Sequence, residues 1–228
     1  MNIQILHLIE GARAAKGLTV IIDVFRAMTV EAYAIRNGAA DLIAVGDLDE
    51  AYAYKAAHPD AILVGERGGK MCPGFDYGNS PSRLKNVDLT GKTVVHTTSA
   101  GTQGIANAAG ASEILTGSLV NAKAIADYIR NSGAEDVSLV CMGLDGLTPT
   151  REDTLCAEYI KSLLDGKPMD LTPGIEECRQ TDGAKFFDPD LQEIFPEADF
   201  HLSVEADRFD FVLRVERGAD GYMHVKKV

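Results

Sequence analysis

Between Thr19 and Asp165, short apolar runs rich in β-branched residues alternate with alanine-rich stretches of helical length. TVIID (Thr19 to Asp23), DLIAV (Asp41 to Val45) and AILVG (Ala61 to Gly65) are the first three such runs. Strands separated by helices cannot close into tight hairpins, so they cross over and lie parallel. The expected class is therefore α/β: a three-layer α/β/α sandwich with a mostly parallel sheet and helices on both faces.

The same plan is written twice. The stretch from Thr19 reads strand, alanine-rich helix closed by Gly38, strand DLIAV, helix through Ala51, strand AILVG; the stretch from Thr93 reads strand, helix closed by Gly110, strand EILTG, helix through Ala122, strand VSLVC. Identities are few, and the ordering carries the correspondence. One compact unit, 1–228, is expected, with pseudo-repeat halves at about 17–90 and 91–165 related by internal duplication. From 166 to 228 the turn-rich DGKPMDLTPG and FFDPDLQEIFPEADF predict short helical pieces wrapping the core. RFDFVLRVERGADGYMHVKKV alternates apolar and polar residues about GADG, which predicts a β-hairpin or an edge extension.

Charge narrows the partners. Lys plus Arg number 22 against 34 Asp plus Glu, a net charge of -12, which opposes attraction to nucleic acid or an anionic membrane. No run approaches the length of a membrane span, and MNIQILHLIEGARAAKG lacks the build of a secretory signal, so a cytoplasmic location is expected. A homodimer is the natural assembly to test for such a chain. Cys72, Cys141, Cys156 and Cys178 lie far apart with no zinc spacing and read as free thiols, with Cys72, beside a glycine-rich turn, the one to check for reactivity.

In open α/β sheets ligands bind beyond the carboxyl ends of strands, and four segments there hold almost every unusual residue. DVFRAMT places Asp23 at a strand end and Arg26 three residues on. The acid can bind metal or act as a nucleophile, and the guanidinium can fork a phosphate or sulfonate; the plain alternative is a capping Asp23 paired with Arg26. The haloacid-dehalogenase pattern is excluded because the position two residues after Asp23 is Phe25. GERGGKMCPGFDYGNSP (Gly65 to Pro81) gathers Glu66, Lys70, Asp76, Asn79 and Ser80 in a long loop that suits a Mg²⁺-assisted anion site. TTSAGTQG offers Thr97, Thr98, Ser99 and Gly101 as an anion cradle at a helix start, or as a simple N-cap. MGLDGLTPTRED supplies Asp145, Glu152 and Asp153; one of the last two is expected only to favour the helix start. The histidines, His96 inside a strand among them, offer little, and a cysteine phosphatase is excluded because the Arg of a C-x₅-R loop would fall on Gly78.

Taken together, DVFRA, GE-x-GG, PGFDYGNSP, the TTSAGT turn and an ED before a helix resemble the 2-phosphosulfolactate phosphatase family, and RFDFVL is similar to its closing segment. The chain differs from that pattern in Met28-Thr29 after DVFRA and in Ser99-Ala100 where the family commonly has Asn-Gly, which put a thioether and a lost amide near the anion site. The resemblance implies a Mg²⁺-dependent phosphatase releasing sulfolactate and phosphate from 2-phosphosulfolactate, a step towards coenzyme M, or acting on another small phosphorylated acid. In this reading Asp23, Arg26 and Asp76 are catalytic. Arg26, Lys70, Asn79, Ser80, Thr97, Thr98, Ser99 and Gly101 bind substrate, and Asp23, Glu66, Asp76, Asp145, Glu152 and Asp153 supply the metal ligands. Attack by metal-activated water is favoured over an aspartyl-phosphate because no second acid is evident beside Asp23. The alternative is a non-catalytic module that binds a phosphorylated or sulfonated metabolite in the same cleft.

Overall fold

The computed structural model describes residues 1–167 and 169–228. The chain opens with β1 (Asn2–His7) and α1 (Leu8–Ala14), a unit outside the twofold pattern. The first half follows as β2 (Gly17–Ile22), α2 (Ala27–Arg36), β3 (Asp41–Ala44), α3 (Leu48–Ala57) and β4 (Ile62–Arg67), then the short β5 (Lys70–Met71) and α4 (Pro81–Leu84). The second half is β6 (Thr93–Thr97), α5 (Gly101–Asn107), β7 (Ala111–Gly117), α6 (Ala122–Ser132), β8 (Asp136–Cys141) and α7 (Arg151–Leu164). After these come α8 (Thr172–Gln180), two 3₁₀ turns (Ala184–Phe187 and Pro189–Leu191), α9 (Glu197–Ser203), β9 (Leu213–Arg217) and β10 (Met223–Lys227). Among the described residues no helix is long and apolar enough to cross a membrane.

The ten strands of the described residues form one sheet in the order β1-β8-β2-β7-β9-β10-β3-β6-β4-β5. The two halves interleave in it. β2 lies between β7 and β8, both parallel to it, and β6 lies between β3 and β4, again parallel. The first strand of each half is thus flanked by the second and third strands of the other. The C-terminal hairpin forms about the GADG turn as expected, but in the middle of the sheet and not at its edge. There β9 pairs antiparallel with β7 and β10 with β3. Because β9 and β10 are themselves antiparallel, the strands of the two groups run in opposite senses.

Period-two alternation builds the layers. From β2, Leu18, Val20 and Ile22 face a core shared with α6 and α7, while Ile21 faces the other side, where α1, α2 and α5 pack. In the other group Ile43, Leu63 and Val95 pack beneath Ala51 of α3, while Leu42, Val64 and Val94 join the opposite core. Each fully buried Ile or Leu contributes about 1.5–3 kcal/mol relative to exposure, so a register slip of one residue would turn both faces out. All four cysteines are free and buried. Burial pushes the Cys72 thiol above its ordinary range, and at 2% exposure it is a core residue and not a reactive one.

Two close contacts bring the halves together beyond the strand ends. A Cβ at Gly101 would stand 3.0 Å from Asp23 Oδ2, 2.8 Å from Ala27 Cβ and 2.7 Å from Met28 Cε, so only glycine lets α5 approach the start of α2. Met28 is therefore packing in the core, 1% exposed, and contributes no thioether to a ligand site. Asp153, in the first turn of α7, accepts from Val24 N–H and Gly143 N–H, each at 2.8 Å, and so fastens the segment leaving β2 to the one leaving β8. Replacing Asp153 by Ala leaves both donors unpaired, at about 1–3 kcal/mol each. Urea denaturation should show a loss of about 2–4 kcal/mol for Asp153→Ala, and an unchanged midpoint would remove the fastening role.

Candidate active site

A cleft of about 340 Å³ opens where the segments leaving β2, β4, β6 and β8 converge, and it draws residues from all four of the singled-out loops. Asp23 follows β2 directly and is 6% exposed. Its Oδ1 accepts from Ala27 N–H at 3.1 Å and so starts α2, while Oδ2 lies towards Gly101. Burial pushes the Asp23 carboxyl up to about 6, and the nearby Glu66 charge adds to the rise. The Phe25–Arg26 peptide is cis.

Glu66 is already engaged: Ser99 N–H donates to Oε1 at 2.7 Å and Gly69 N–H to Oε2 at 2.6 Å, so this carboxylate closes the β4 loop onto the β6 turn. Glu152 differs. It lines the cleft, its Oε2 is buried without a hydrogen-bond partner, and burial, with Asp182 adding, raises its carboxyl to about 8. The motif beside Asp23 carries no second acid, and the buried acid that shares its cleft, Glu152, comes from the other half of the chain. Asp145, at φ 54°, sits exposed on the rim.

Arg26 does not pair with Asp23. Its Nη1 donates to Asp199 Oδ2 and to the Ile194 carbonyl, both at 2.8 Å, and Nη2 to the Gly69 carbonyl at 3.3 Å. Asp199 in turn accepts from Ser80 Oγ at 2.8 Å and Ser82 N–H at 2.9 Å. Arg26 is thus a wall of the cleft held from behind, and Ser80 belongs to that brace while also lining the adjoining pocket. The cation facing the cleft is Lys185, which has no carboxylate partner among the described residues and lies over the Phe195 ring at 5.2 Å. Its neighbour Phe186 is fully buried and anchors the 3₁₀ turn by edge contact with Phe25 at 5.1 Å.

Several expected residues are placed elsewhere. Asp76 accepts from Leu63 N–H at 2.8 Å and pairs with Lys55 at 3.3 Å, away from the cleft, where it pins the loop against β4. Thr97 Oγ1 accepts from Arg67 at 2.8 Å, and Thr98 and Thr102 exchange hydrogen bonds, so the TT pair is engaged within the protein while Ser99 and Ala100 reach the cleft; the cap position of α5 is Ala100, which has no side-chain cap. Lys70 lies in an adjoining pocket of about 210 Å³ that shares Arg26, Gly69 and Asn79 with the cleft and also holds Arg83. Both oxygens of Asp153 are occupied by backbone donors.

Among the described residues no three His, Cys, Asp or Glu side chains converge as a metal-ligand group, so the six carboxylates do not form one shell. A Mg²⁺ site needs fewer, since this ion commonly takes one or two carboxylates with water and phosphate oxygens. The fit is to Asp23 and Glu152: both carboxyls are raised by burial, and Glu152 Oε2 lacks any partner. Lys185, Phe195 and Asp199 were missed by sequence reasoning. A lysine beside two phenylalanines in KFF was the available signal for the first; nothing marked Asp199.

The family model for 2-phosphosulpholactate phosphatase matches residues 3–217. The Bacillus subtilis (strain 168) protein named "Probable 2-phosphosulfolactate phosphatase" is 32% identical over 91% of this chain and 90% of its own length. Proteins of the same name from Caldicellulosiruptor saccharolyticus and Carboxydothermus hydrogenoformans are 41% and 40% identical, over 63% and 72% of this chain and 61% and 68% of theirs. With nearly the whole chain matched and the cleft assembled from the motif segments, the chain belongs to the 2-phosphosulpholactate phosphatase family.

Proposed function

We propose that this chain hydrolyses the phosphomonoester of a small, multiply acidic metabolite, 2-phosphosulfolactate, to sulfolactate and inorganic phosphate, with Mg²⁺ as cofactor. The observation that carries the reading is the meeting in one cleft of two raised carboxyls, Asp23 and Glu152, with the unpaired Lys185. Mg²⁺ held by Asp23 and Glu152 would neutralise phosphoryl oxygens and acidify a bound water. The chain's own groups divide the remaining work. Lys185 attracts the phosphoryl group into a cleft whose acids would otherwise repel it, and phosphoryl transfer depends mainly on such positioning and charge stabilisation. With Oδ1 held by Ala27 N–H, Asp23 keeps Oδ2 to hold the metal at the attacking water. The aromatic walls Phe25 and Phe195 limit water around the ester. The neighbouring pocket, with Lys70 and Arg83, suits the remaining acid groups of the substrate.

Phosphate release from 2-phosphosulfolactate and other phosphorylated hydroxy acids, with Mg²⁺ and with EDTA, tests this directly. Metal-dependent release is expected; tight binding of an ester without release from any would leave only a binding module. Asp23→Asn should lower kcat by several orders of magnitude. Lys185→Ala should raise KM at least tenfold with folding intact, whereas Arg26→Ala should mainly destabilise, by about 3–5 kcal/mol, because it strands the buried Asp199 charge. An Arg26→Ala protein as stable as its parent would make Arg26 a ligand and not a brace.

Glu152 adds a pH prediction for the metal-free protein. Its folded carboxyl lies above the ordinary 4.5, at about 8, so between those values the folded state binds more protons than the unfolded one and stability falls as pH rises. Glu152→Gln should flatten that fall. Melting temperatures at pH 5 and pH 8.5 should differ by roughly 5–10 °C less in the variant, and equal slopes would sink the assignment.

A further inference from the structure

Glu31 stands in the middle of α2 and His96 in β6, both with no exposed surface. His96 Nδ1 and Glu31 Oε1 are 3.0 Å apart, and Glu31 Oε2 has no hydrogen-bond partner. On the other side of the ring, Nε2 lies 3.4 Å from Asn79 Oδ1, and Asn79 lines both the cleft and the adjoining pocket. A carboxylate buried with an idle oxygen is poor packing, since an apolar side chain would fill the place without desolvating a charge. The arrangement makes sense through what it does to the ring.

His96 Nδ1 and the Glu31 carboxyl share one proton in their hydrogen bond. If Nε2 were bare, the buried carboxylate would have no compensating charge; a proton there makes the pair neutral overall. Nε2–H then donates, and the acceptor that it meets is the Asn79 carbonyl oxygen. The two ends of a carboxamide are alike in shape, so hydrogen bonding decides which faces where. With the oxygen held inward, the NH₂ group is left to the cleft.

We infer that Glu31 and His96 are positioning residues that fix the Asn79 side-chain amide so that Nδ2 donates to a phosphoryl oxygen of the bound ester. Reversed, Asn79 would present a carbonyl oxygen to an anion and repel it. The inference rests on the phosphatase reading for its substrate, and the orientation of the amide can be tested without turnover.

Nitrogen-15 NMR of the histidine-labelled full chain at pH 7 should show one histidine, identified by its loss in His96→Gln, with Nε2 protonated. A His96 ring bare at Nε2 overturns the proposal. Titration with inorganic phosphate should shift the Asn79 side-chain amide in the parent and not in the isosteric Glu31→Gln; equal shifts in both overturn it. In turnover, Asn79→Ala should lower kcat about 10²–10³-fold, as loss of one transition-state donor does. Glu31→Gln should lower kcat at least tenfold with KM changed less than threefold, yet less than twofold in the Asn79→Ala background. Independent, multiplying losses would assign Glu31 to the fold alone. If the parent protein releases no phosphate, the phosphatase reading fails while the two NMR outcomes still decide the orientation.

Discussion

The buried ion pair of Arg26 with Asp199 holds the site in shape. One guanidinium joins the segment leaving β2 to α9, to the carbonyl of Ile194 and to the carbonyl of Gly69, and the same carboxylate receives the Ser80 hydroxyl at the start of α4. Three stretches distant in sequence, at Arg26, at Gly69 to Ser80 and at Ile194 to Asp199, are thus fixed by one ion pair whose donors point in set directions. An apolar contact in its place would bury area as well but would leave their mutual angles free. Removing either charge would leave the other buried and alone, so the walls of the cleft stand or fall together.

Against those walls the cleft is electrically unbalanced. Acids from both halves reach it, and only Lys185 answers them without a partner of its own among the described residues. The carboxyls of Asp23 and Glu152 are raised first by burial, with the neighbouring Glu66 and Asp182 charges adding. Acids held where ionisation is costly are prepared for a cation that arrives with, or before, an anionic ligand. This resolves the apparent contradiction between a chain of net charge -12 and a phosphorylated acid as its ligand.

The layered α/β architecture was legible because strand alternation and helix length are local properties, and the four loops because glycine and charged residues gather where a parallel sheet presents its strand ends. The interleaving of the halves was not legible, since pairing partners are set by long-range packing that leaves no local trace. The hairpin at GADG could be read, but an alternating strand looks the same at an edge as in the middle of a sheet whose two sides are covered unevenly. At the site, Asp23, Glu66, Asn79, Ser99 and Glu152 were legible from motif position. Asp76 misled because the loop that carries it folds back along β4 and presents the carboxylate to Leu63 N–H. His96 was set aside because a strand histidine is ordinarily core, and its partner Glu31 lies 65 residues away.

The central place of β9 and β10 bears on how the protein is made. A chain emerging from the ribosome presents β3 and β7 early, each with one side awaiting a partner that is the last piece of the described fold to be synthesised. Until that hairpin arrives, the two parallel groups share no strand-to-strand pairing across the middle of the sheet, and each exposes an open edge of the kind that recruits other chains. Arrival of this hairpin is what joins two sticky partial sheets into one continuous sheet.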